Sequence, residues 1–422
     1  MEIKAPRGTR DILGEEVALW QHLEEVVRRN AHLFGYEEIR TPVFEHTELF
    51  TRGVGEETDI VQKEMYTFTD KGGRSITLRP EGTAPAVRAY LEHGFFVRNP
   101  RVRWYYLGPM FRYERPQAGR MRQFHQFGFE ALGFQDPACD AEIVLLAWTI
   151  YRELGLSGLS LELNSIGCPL CKPHYVQRLR EHLENHKDLL CEDCKRRLVE
   201  NPLRVLDCKK EACQAVFREA SFPNIQDFLC AECRRHEERL FLLLQHLGIP
   251  FVVNPRLVRG LDYYTRTVFE VKVHTLGAQD AIGGGGRYDG LARALGGPEV
   301  PGVGFAAGME RIVLLLERSG FTRKDAFRVY LAPLDEEGEK DLLILSQALH
   351  EVGIPFSLDF ASKNLRYHLK RAQKMGVRFV VIAGEEERKN SGFSLKDLVS
   401  GEQILLSQEE LLGRLRKERE TC

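Results

Sequence analysis

Arginine carries most of the chemistry this sequence offers. In GPMFRYERPQAGRMRQFHQFGFE, residues 108–130, two alternating segments flank a loop that holds Arg115, Pro116, Gln117, Gly119, Arg120 and Arg122. Period-two alternation puts Arg112 and Glu114 on one face of the first segment and Gln126, Gly128 and Glu130 on one face of the second. Phe111, Tyr113, Phe127 and Phe129 turn the other way, so the hairpin has an apolar face for packing and a charged face for chemistry. Its loop is too long and too cationic for a tight two-residue turn, and reads either as a solvated tip or as a contact for phosphate or RNA.

Other stretches share this character. LVRGLDYYTRTVFEVKV, residues 257–273, crowds Arg259, Asp262, Tyr263, Tyr264 and Arg266 ahead of an alternating strand. A polar ligand pocket needs such a crowd; packed tyrosines and an Arg259–Asp262 pair are the plainer reading. In GVGFAAGMERIVLLL, residues 302–316, a small-residue strand turns into an apolar helix with Arg311 in its first turn. The helix dipole disfavours a cation there by a few tenths to about 1 kcal/mol, which either Glu310 or a bound polyphosphate relieves. TLRPEGTAPA, residues 77–86, is a strand end entering a helix, where Glu81 either holds an ammonium group or serves as a first-turn acid. The run Gly283–Gly286, followed by RYDG, is neither a P-loop nor a dinucleotide fingerprint; beside a strand it lets a backbone or ligand come unusually close.

The elements that must position these residues fit a chain of 422 residues, enough for about three domains. The net charge of -2 means that nucleic-acid binding rests on local patches rather than on a global basic field. The opening MEIKAPRGTRDILGEE has no apolar core of signal-peptide length, and no run approaches the roughly 18 apolar residues of a membrane span. A soluble cytoplasmic protein is expected.

Helical spacing of Val17, Trp20, Leu23, Val26 and Val27 predicts a helix over 15–34, stopped at Gly35. A strand over 36–43, closed by Thr41 and Pro42, belongs at a sheet edge, as a dimer seam or as an edge protected by proline. A helix is expected over 140–154 and a strand over 159–166. Eight of the ten cysteines then fall between Cys168 and Cys233, as Cys168/Cys171, Cys191/Cys194, Cys208/Cys213 and Cys230/Cys233. Three pairs have the CxxC spacing that lets two thiolates reach one zinc, in a segment otherwise helical and charged, with helices expected over 175–190 and 211–217. Four pairs serve two sites, one or none; structural zinc is weighed against helical packing with free thiols and is not favoured.

After residue 327 strands and helices alternate, which predicts a separate α/β domain. No acid occurs between Asp359 and Glu385, while Lys363, Arg366, Lys370, Arg371, Lys374 and Arg378 do. Lys363, Arg366, Lys370 and Lys374 recur along one helix face, either solvated or facing RNA.

Together these segments resemble the histidyl-tRNA synthetases over essentially the whole chain. FRYE with the loop through HQFGFE is similar to the second signature motif of class II aminoacyl-tRNA synthetases, GVGFAAGMERI to the third, and YEEIRTPVFE to the first, which in the family forms the homodimer interface. RGLDYYTRTVFE and GGGGRYDGL resemble the two histidine-specific motifs. The resemblance implies an α+β class II catalytic core, an antiparallel sheet flanked by helices, over 1–325 with a cysteine-rich helical insertion at 167–247. An α/β anticodon-binding domain follows over 326–422.

The implied reaction activates L-histidine with ATP to histidyl-adenylate and transfers it to the 3' end of histidine tRNA. Arg112 and Arg259 are the implied catalytic residues. Arg112, Glu114, Phe124 and Arg311 take ATP, while Glu81, Thr83, Gln126, Glu130, Tyr263 and Tyr264 take histidine. Arg115, Gln117, Arg120 and Arg122 face the tRNA acceptor end, and the insertion grips the acceptor stem. Magnesium is expected with ATP, with no protein ligand assigned. The rival reading is the non-catalytic regulatory paralogue of ATP phosphoribosyltransferase, expected to lack the C-terminal domain; a zinc-organised RNA-binding protein without catalysis ranks below it.

Overall fold

The structure, a computed structural model, describes residues 3–219, 221–273, 280–321 and 328–421. Its backbone divides into two compact units, Met1–Thr322 and Arg323–Cys422. The boundary expected at 325/326 lies outside the described residues.

Helix α1 (Glu15–Leu33) buries Leu19, Trp20, Leu23, Val26 and Val27 on one stripe. Gly35, at φ 72°, reverses the chain after it. Strand β1 (Glu37–Glu38) follows, then a small antiparallel sheet of β2 (Phe44–His46), β3 (Tyr66–Thr69) and β4 (Ser75–Leu78), with α2 (Thr47–Val54) inserted. Helices α3 (Thr83–Glu92) and α4 (Phe95–Arg98) lead into the long hairpin of β5 (Val102–Phe111) and β6 (Gln123–Leu132). Helix α5 (Pro137–Glu153) and β7 (Leu159–Ser165) come next.

The cysteine-rich segment then forms α6 (Lys172–Asn185), α7 (Glu192–Glu200), α8 (Glu211–Phe217) and α9 (Ala231–His246). Strands β8 (Val252–Val253), β9 (Thr265–Val273) and β10 (Ala281–Arg287), helix α10 (Leu291–Ala294), strand β11 (Gly302–Gly308) and helix α11 (Met309–Arg318) complete the unit.

Eight strands make one sheet in the order β1-β5-β6-β11-β10-β9-β7-β8. Its interior is antiparallel, and the short edge strands β1 and β8 pair parallel to β5 and β7. Alternation along β6 sends Phe127 and Phe129 into a core shared with α1, α5 and α11, where both rings pack on Phe305. Gln126, Gly128 and Glu130 are left on the other face. That division is what positions the site.

The insertion has its own small core, with Leu179, Leu183, Leu198, Val205, Val216 and Ile225 buried among six of its cysteines. Its last helix is shared: Leu240 and Leu244 of α9 pack in the main core beside α5. The sequence window 167–247 therefore includes a helix that also belongs to the catalytic layer, since amphipathic spacing shows that a stripe is buried but not against what.

The second unit holds a five-stranded sheet of β12 (Val329–Pro333), β13 (Phe356–Leu358), β14 (Phe379–Ala383), β15 (Phe393–Asp397) and β16 (Gln403–Leu406), in the order β13-β12-β14-β15-β16. The first three are parallel, and β15 and β16 run antiparallel. Val329, Leu331 and Val381 face α12 (Glu336–Glu351) and α15 (Gln408–Thr421), while Tyr330, Ala332 and Val380 face α13 (Leu365–Lys374). Both faces are thus buried, as a parallel sheet requires. Asn364 caps α13 through Arg366 and Tyr367 N–H. Lys363 therefore stands outside the helix and pairs with Glu339, leaving Arg366, Lys370 and Lys374 as the exposed stripe.

Candidate active site

A cavity of about 250 Å³ brings together Arg112, Glu114, Phe124, Gln126, Arg259 and Arg311. These residues come from four separate stretches of chain. Arg112 follows the end of β5; its Nε donates to the Pro80 carbonyl at 2.9 Å and its guanidinium lies 5.3 Å from the Phe124 ring centroid. Arg259 enters from the loop before β9 and meets Glu270 at 2.5 Å. Burial works against its charge, yet Glu270, with Tyr264 and Asp207, holds the guanidinium above its ordinary pKa.

A Cβ at Gly284 would stand 2.8 Å from the Arg259 guanidinium, and one at Gly285 would stand 2.0 Å from the Gly304 carbonyl oxygen. The glycine run therefore admits an arginine above the sheet as well as a neighbouring strand within it.

Arg311 is the third residue of α11 and donates to the Ala281 carbonyl. Burial, then the nearby Arg120, lowers its pKa. Glu310, which also lines the cavity, accepts the His125 backbone N–H at 2.8 Å, and Arg311 beside it joins two other arginines there. Among the described residues Gln126 Oε1 and Arg259 Nε are buried without a hydrogen-bond partner, a condition native structures keep where a ligand binds.

Further along the same face of β6 lies a buried polar network around Glu130. Oε1 accepts from the Thr83 hydroxyl at 2.7 Å and the Tyr106 hydroxyl at 3.3 Å, and Oε2 accepts from Tyr288. Burial pushes the Glu130 carboxyl up to about 8. Tyr263 packs on Tyr264 and Tyr288, with ring centroids 4.7 and 5.7 Å apart. Gly128 opposite Tyr106, and Gly304 opposite Glu130, supply the room, since a Cβ at either would strike those side chains. Glu81 is buried, and its two oxygens accept the Thr83 and Ala84 N–H groups at 2.6 and 2.8 Å. Its carboxylate is thus held by the first turn of α3, one residue before the Gly82 cap.

The hairpin loop differs from its expectation. Gln117 and Arg120 pair around Ala118 and Gly119, the latter at φ 71°, so a two-residue turn does close the tip. The unpaired length lies on either side of that turn. Gly119 packs against Arg311, and Arg120 lines the cavity in an ion pair with Glu114 at 3.0 Å. Arg122 lies over the Tyr113 ring at 3.8 Å, and its backbone N–H donates to the Gly8 carbonyl. Of the four residues expected to face RNA, Arg115, Gln117 and Arg120 are exposed and Arg122 is half-buried.

Sequence reasoning missed Tyr106, Tyr288, Glu270 and Arg204. Alternation in β5 and the RYDG run carried a signal for the tyrosines, and period two pairs Glu270 with Gly284. Arg204 reaches the Arg259 and Gly260 carbonyls at 3.2 and 2.6 Å from the insertion, and no local pattern announces it. A wider groove of about 1070 Å³ runs past Arg103 and Arg239, and of the residues expected in a polar pocket it takes Arg266 alone.

The family described as histidyl-tRNA synthetase matches residues 8–186 and 202–312, and an anticodon binding domain matches 328–418. A histidine–tRNA ligase of Halothermothrix orenii is 49% identical over 419 residues, 99% of this chain and 100% of that protein. The apo histidyl-tRNA synthetase of Staphylococcus aureus superposes with a TM-score of 0.82 at 36% identity, covering 98% of this chain and 100% of its own. A Bacillus halodurans chain described as an ATP phosphoribosyltransferase regulatory subunit/histidyl-tRNA synthetase shares the fold, at 20% identity and a TM-score of 0.66 over 91% of this chain and 98% of its own.

Proposed function

The chain belongs to the histidyl-tRNA synthetases, and from that membership we propose a division of labour among its site residues. It is an ATP-dependent ligase that activates L-histidine to histidyl-adenylate and transfers the histidyl group to histidine tRNA. The regulatory-paralogue reading is the less supported, given relatives of about this identity over the full chain and an anticodon-binding unit.

The histidine carboxylate is ionised at neutral pH and attacks the α-phosphorus as pyrophosphate leaves, so no general base is needed. The barrier is electrostatic, an anion approaching a polyphosphate, and cations held where charge develops lower it. Arg112 holds the α-phosphate. Arg259 stands between that phosphate and the attacking carboxylate, and Arg311 reaches the γ-phosphate and covers one face of the adenine. Phe124 stacks on the other face, and Glu114 and Arg120 close the loop over the nucleotide. The observation that carries this reading is the convergence of Arg112, Arg259 and Arg311 on one cavity with Phe124 and Gln126.

Magnesium accompanies ATP and offsets phosphate charge. Glu114, Glu270 and Glu310 are carboxylates lining the cavity, hard ligands that suit it.

Gln126, with Thr83 and Glu81, takes the α-ammonium of histidine. Glu130 accepts an imidazole N–H between Tyr263 and Tyr264, which selects histidine over apolar side chains because an unpaired buried acid is costly. Arg115 and Gln117 meet the acceptor end of the tRNA, together with Arg122, and Arg366, Lys370 and Lys374 face its anticodon end. The functional species is a cytoplasmic homodimer joined along residues 36–45, where Val43 and Phe44 are exposed; no described helix is long and apolar enough to cross a membrane.

Histidine-dependent exchange of pyrophosphate into ATP, followed by charging of histidine tRNA, tests the reading. A folded protein that exchanges no pyrophosphate would end it.

A further inference from the structure

The four cysteine pairs, unresolved by spacing, meet in space as two groups of four. Cys168, Cys171, Cys230 and Cys233 form one and Cys191, Cys194, Cys208 and Cys213 the other, with the sulfurs of each group within 4.8 Å of one another. We propose that the insertion binds two zinc ions in these tetrathiolate sites, and that the second site fixes the loop that carries Arg259.

The spacing fits a tetrahedral tetrathiolate site. A zinc–sulfur bond of about 2.3 Å implies a sulfur–sulfur edge of about 3.8 Å. The first group has edges of 3.7, 3.8 and 3.7 Å, for Cys168–Cys171, Cys168–Cys230 and Cys171–Cys233, and Cys191–Cys208 in the second is 3.9 Å. A disulfide needs about 2.05 Å, and the nine described cysteines are all free. Neither group includes a carboxylate or an imidazole, and four soft sulfurs at tetrahedral spacing select zinc or iron.

Helix starts and backbone donors surround the sulfurs. Cys191 and Cys230 are the caps at which α7 and α9 begin, with Cys194 and Cys233 in their first turns. Backbone N–H groups donate to sulfur from Cys168 to Cys171 at 3.2 Å, from Cys191 to Cys213 at 3.3 Å and from Lys210 to Cys208 at 3.5 Å. Gly167, at φ 72°, leaves the space a Cβ would take 2.8 Å from the Cys171 sulfur. An insertion with so small a core gains most from such a staple, because metal binding adds to its folding free energy. The family match leaves out residues 187–201, which hold Cys191 and Cys194, so the second site is not a feature that match describes.

The link to the reaction runs through the turn Pro202–Asp207, between Cys194 and Cys208. Arg204 of that turn donates to the Arg259 and Gly260 carbonyls, and Asn201 beside it donates to Asp262 at 3.1 Å. Lys172, next to Cys171, donates to the Tyr264 carbonyl at 3.4 Å. Arg204 is thus a positioning residue for Arg259. This part rests on the function proposed above; the metal count does not.

The test is elemental analysis of the full-length protein purified without chelator. Two zinc ions per chain are expected, Cys191→Ser with Cys194→Ser should retain one, and Cys139→Ala, outside both groups, should retain two. Cobalt exchanged into the wild type should give the visible bands of tetrahedral tetrathiolate coordination. A folded wild type with less than one zinc, with one only, or with iron in its place overturns the assignment. Should the double variant fail to fold, zinc released from the wild type by a thiol-blocking mercurial gives the same count.

For the link, stripping the second site should lower kcat for pyrophosphate exchange about tenfold or more, with KM for ATP little changed. Arg204→Ala should do the same with both zinc ions retained, and Arg204→Lys should recover part of the loss. Loss of zinc with unchanged exchange would overturn the link while leaving the sites. A wild type that holds two zinc ions yet exchanges no pyrophosphate would instead fault the proposed function.

Discussion

The two ends of one face of β6 handle opposite problems. At Gln126 three arginines reach a cavity from distant segments, each side chain tied to a carbonyl or an acid at its margin: Pro80, Glu270 and Ala281. At Glu130 a buried acid sits in a packed network, where its two oxygens already accept from Thr83, Tyr106 and Tyr288. Phosphates are large and highly charged, so their end needs cations that keep bonding capacity for a ligand. An imidazole is small and nearly neutral, so its end needs a shaped network whose burial makes every unmatched group costly. The first end provides rate and the second provides selectivity.

This contrast can be broken or sharpened in order of expected effect. Arg259→Ala should slow adenylate formation by on the order of a hundredfold or more, the scale of losing one preorganised donor. ATP binding, read by equilibrium titration, should change much less; a larger change in binding than in exchange would make Arg259 a ground-state anchor and blur the distinction. Glu130→Gln should leave KM for ATP unchanged and lower kcat/KM for histidine by about tenfold or more, because the imidazole loses an ionisable acceptor. Equal losses for both substrates would mean that the network supports the cavity rather than the amino acid.

Reversing the exposed stripe, with Arg366→Glu and Lys370→Glu, should weaken tRNA charging several-fold and reduce its salt dependence. Pyrophosphate exchange, assayed in parallel, should be untouched. The smallest effect concerns stability. Because burial raises the Glu130 carboxyl to about 8 in the folded state, the folded chain binds more protons than the unfolded one between its ordinary carboxylate pKa and that value. Its contribution is therefore present at low pH and lost as pH rises toward about 8. Thermal melts of the ligand-free protein should fall over that window, and Glu130→Gln should remove this part of the slope.

Much of the fold was legible because apolar periodicity is a local property. The stripe of α1, the alternation of β6 and the strand–helix alternation of the second unit follow from which residues must leave water. The candidate site was legible in Arg112, Glu130 and Arg311, whose charges stand where periodicity predicts a strand face or a helix start, and in Arg259, crowded with two tyrosines ahead of a strand. Arg204 was not, since its partners are two carbonyls some fifty positions away. Arg120 was placed toward RNA with the rest of the hairpin loop by family resemblance, and the structure adds its ion pair with Glu114 and its place on the cavity wall.

The sequence by itself determined the inventory: three arginines with their strands and helix, an acid on the face opposite two phenylalanines, a glycine run, and eight cysteines in four pairs. Only the tertiary structure decided the pairing. It set Arg259 over Gly284, closed the hairpin tip at Ala118 and Gly119, and joined cysteine pairs 62 residues apart while enclosing the other two between them. The physical reason is range. Helix and strand periodicity act within a few residues, whereas ligand sites and metal sites require groups whose approach is fixed only when the sheet is assembled.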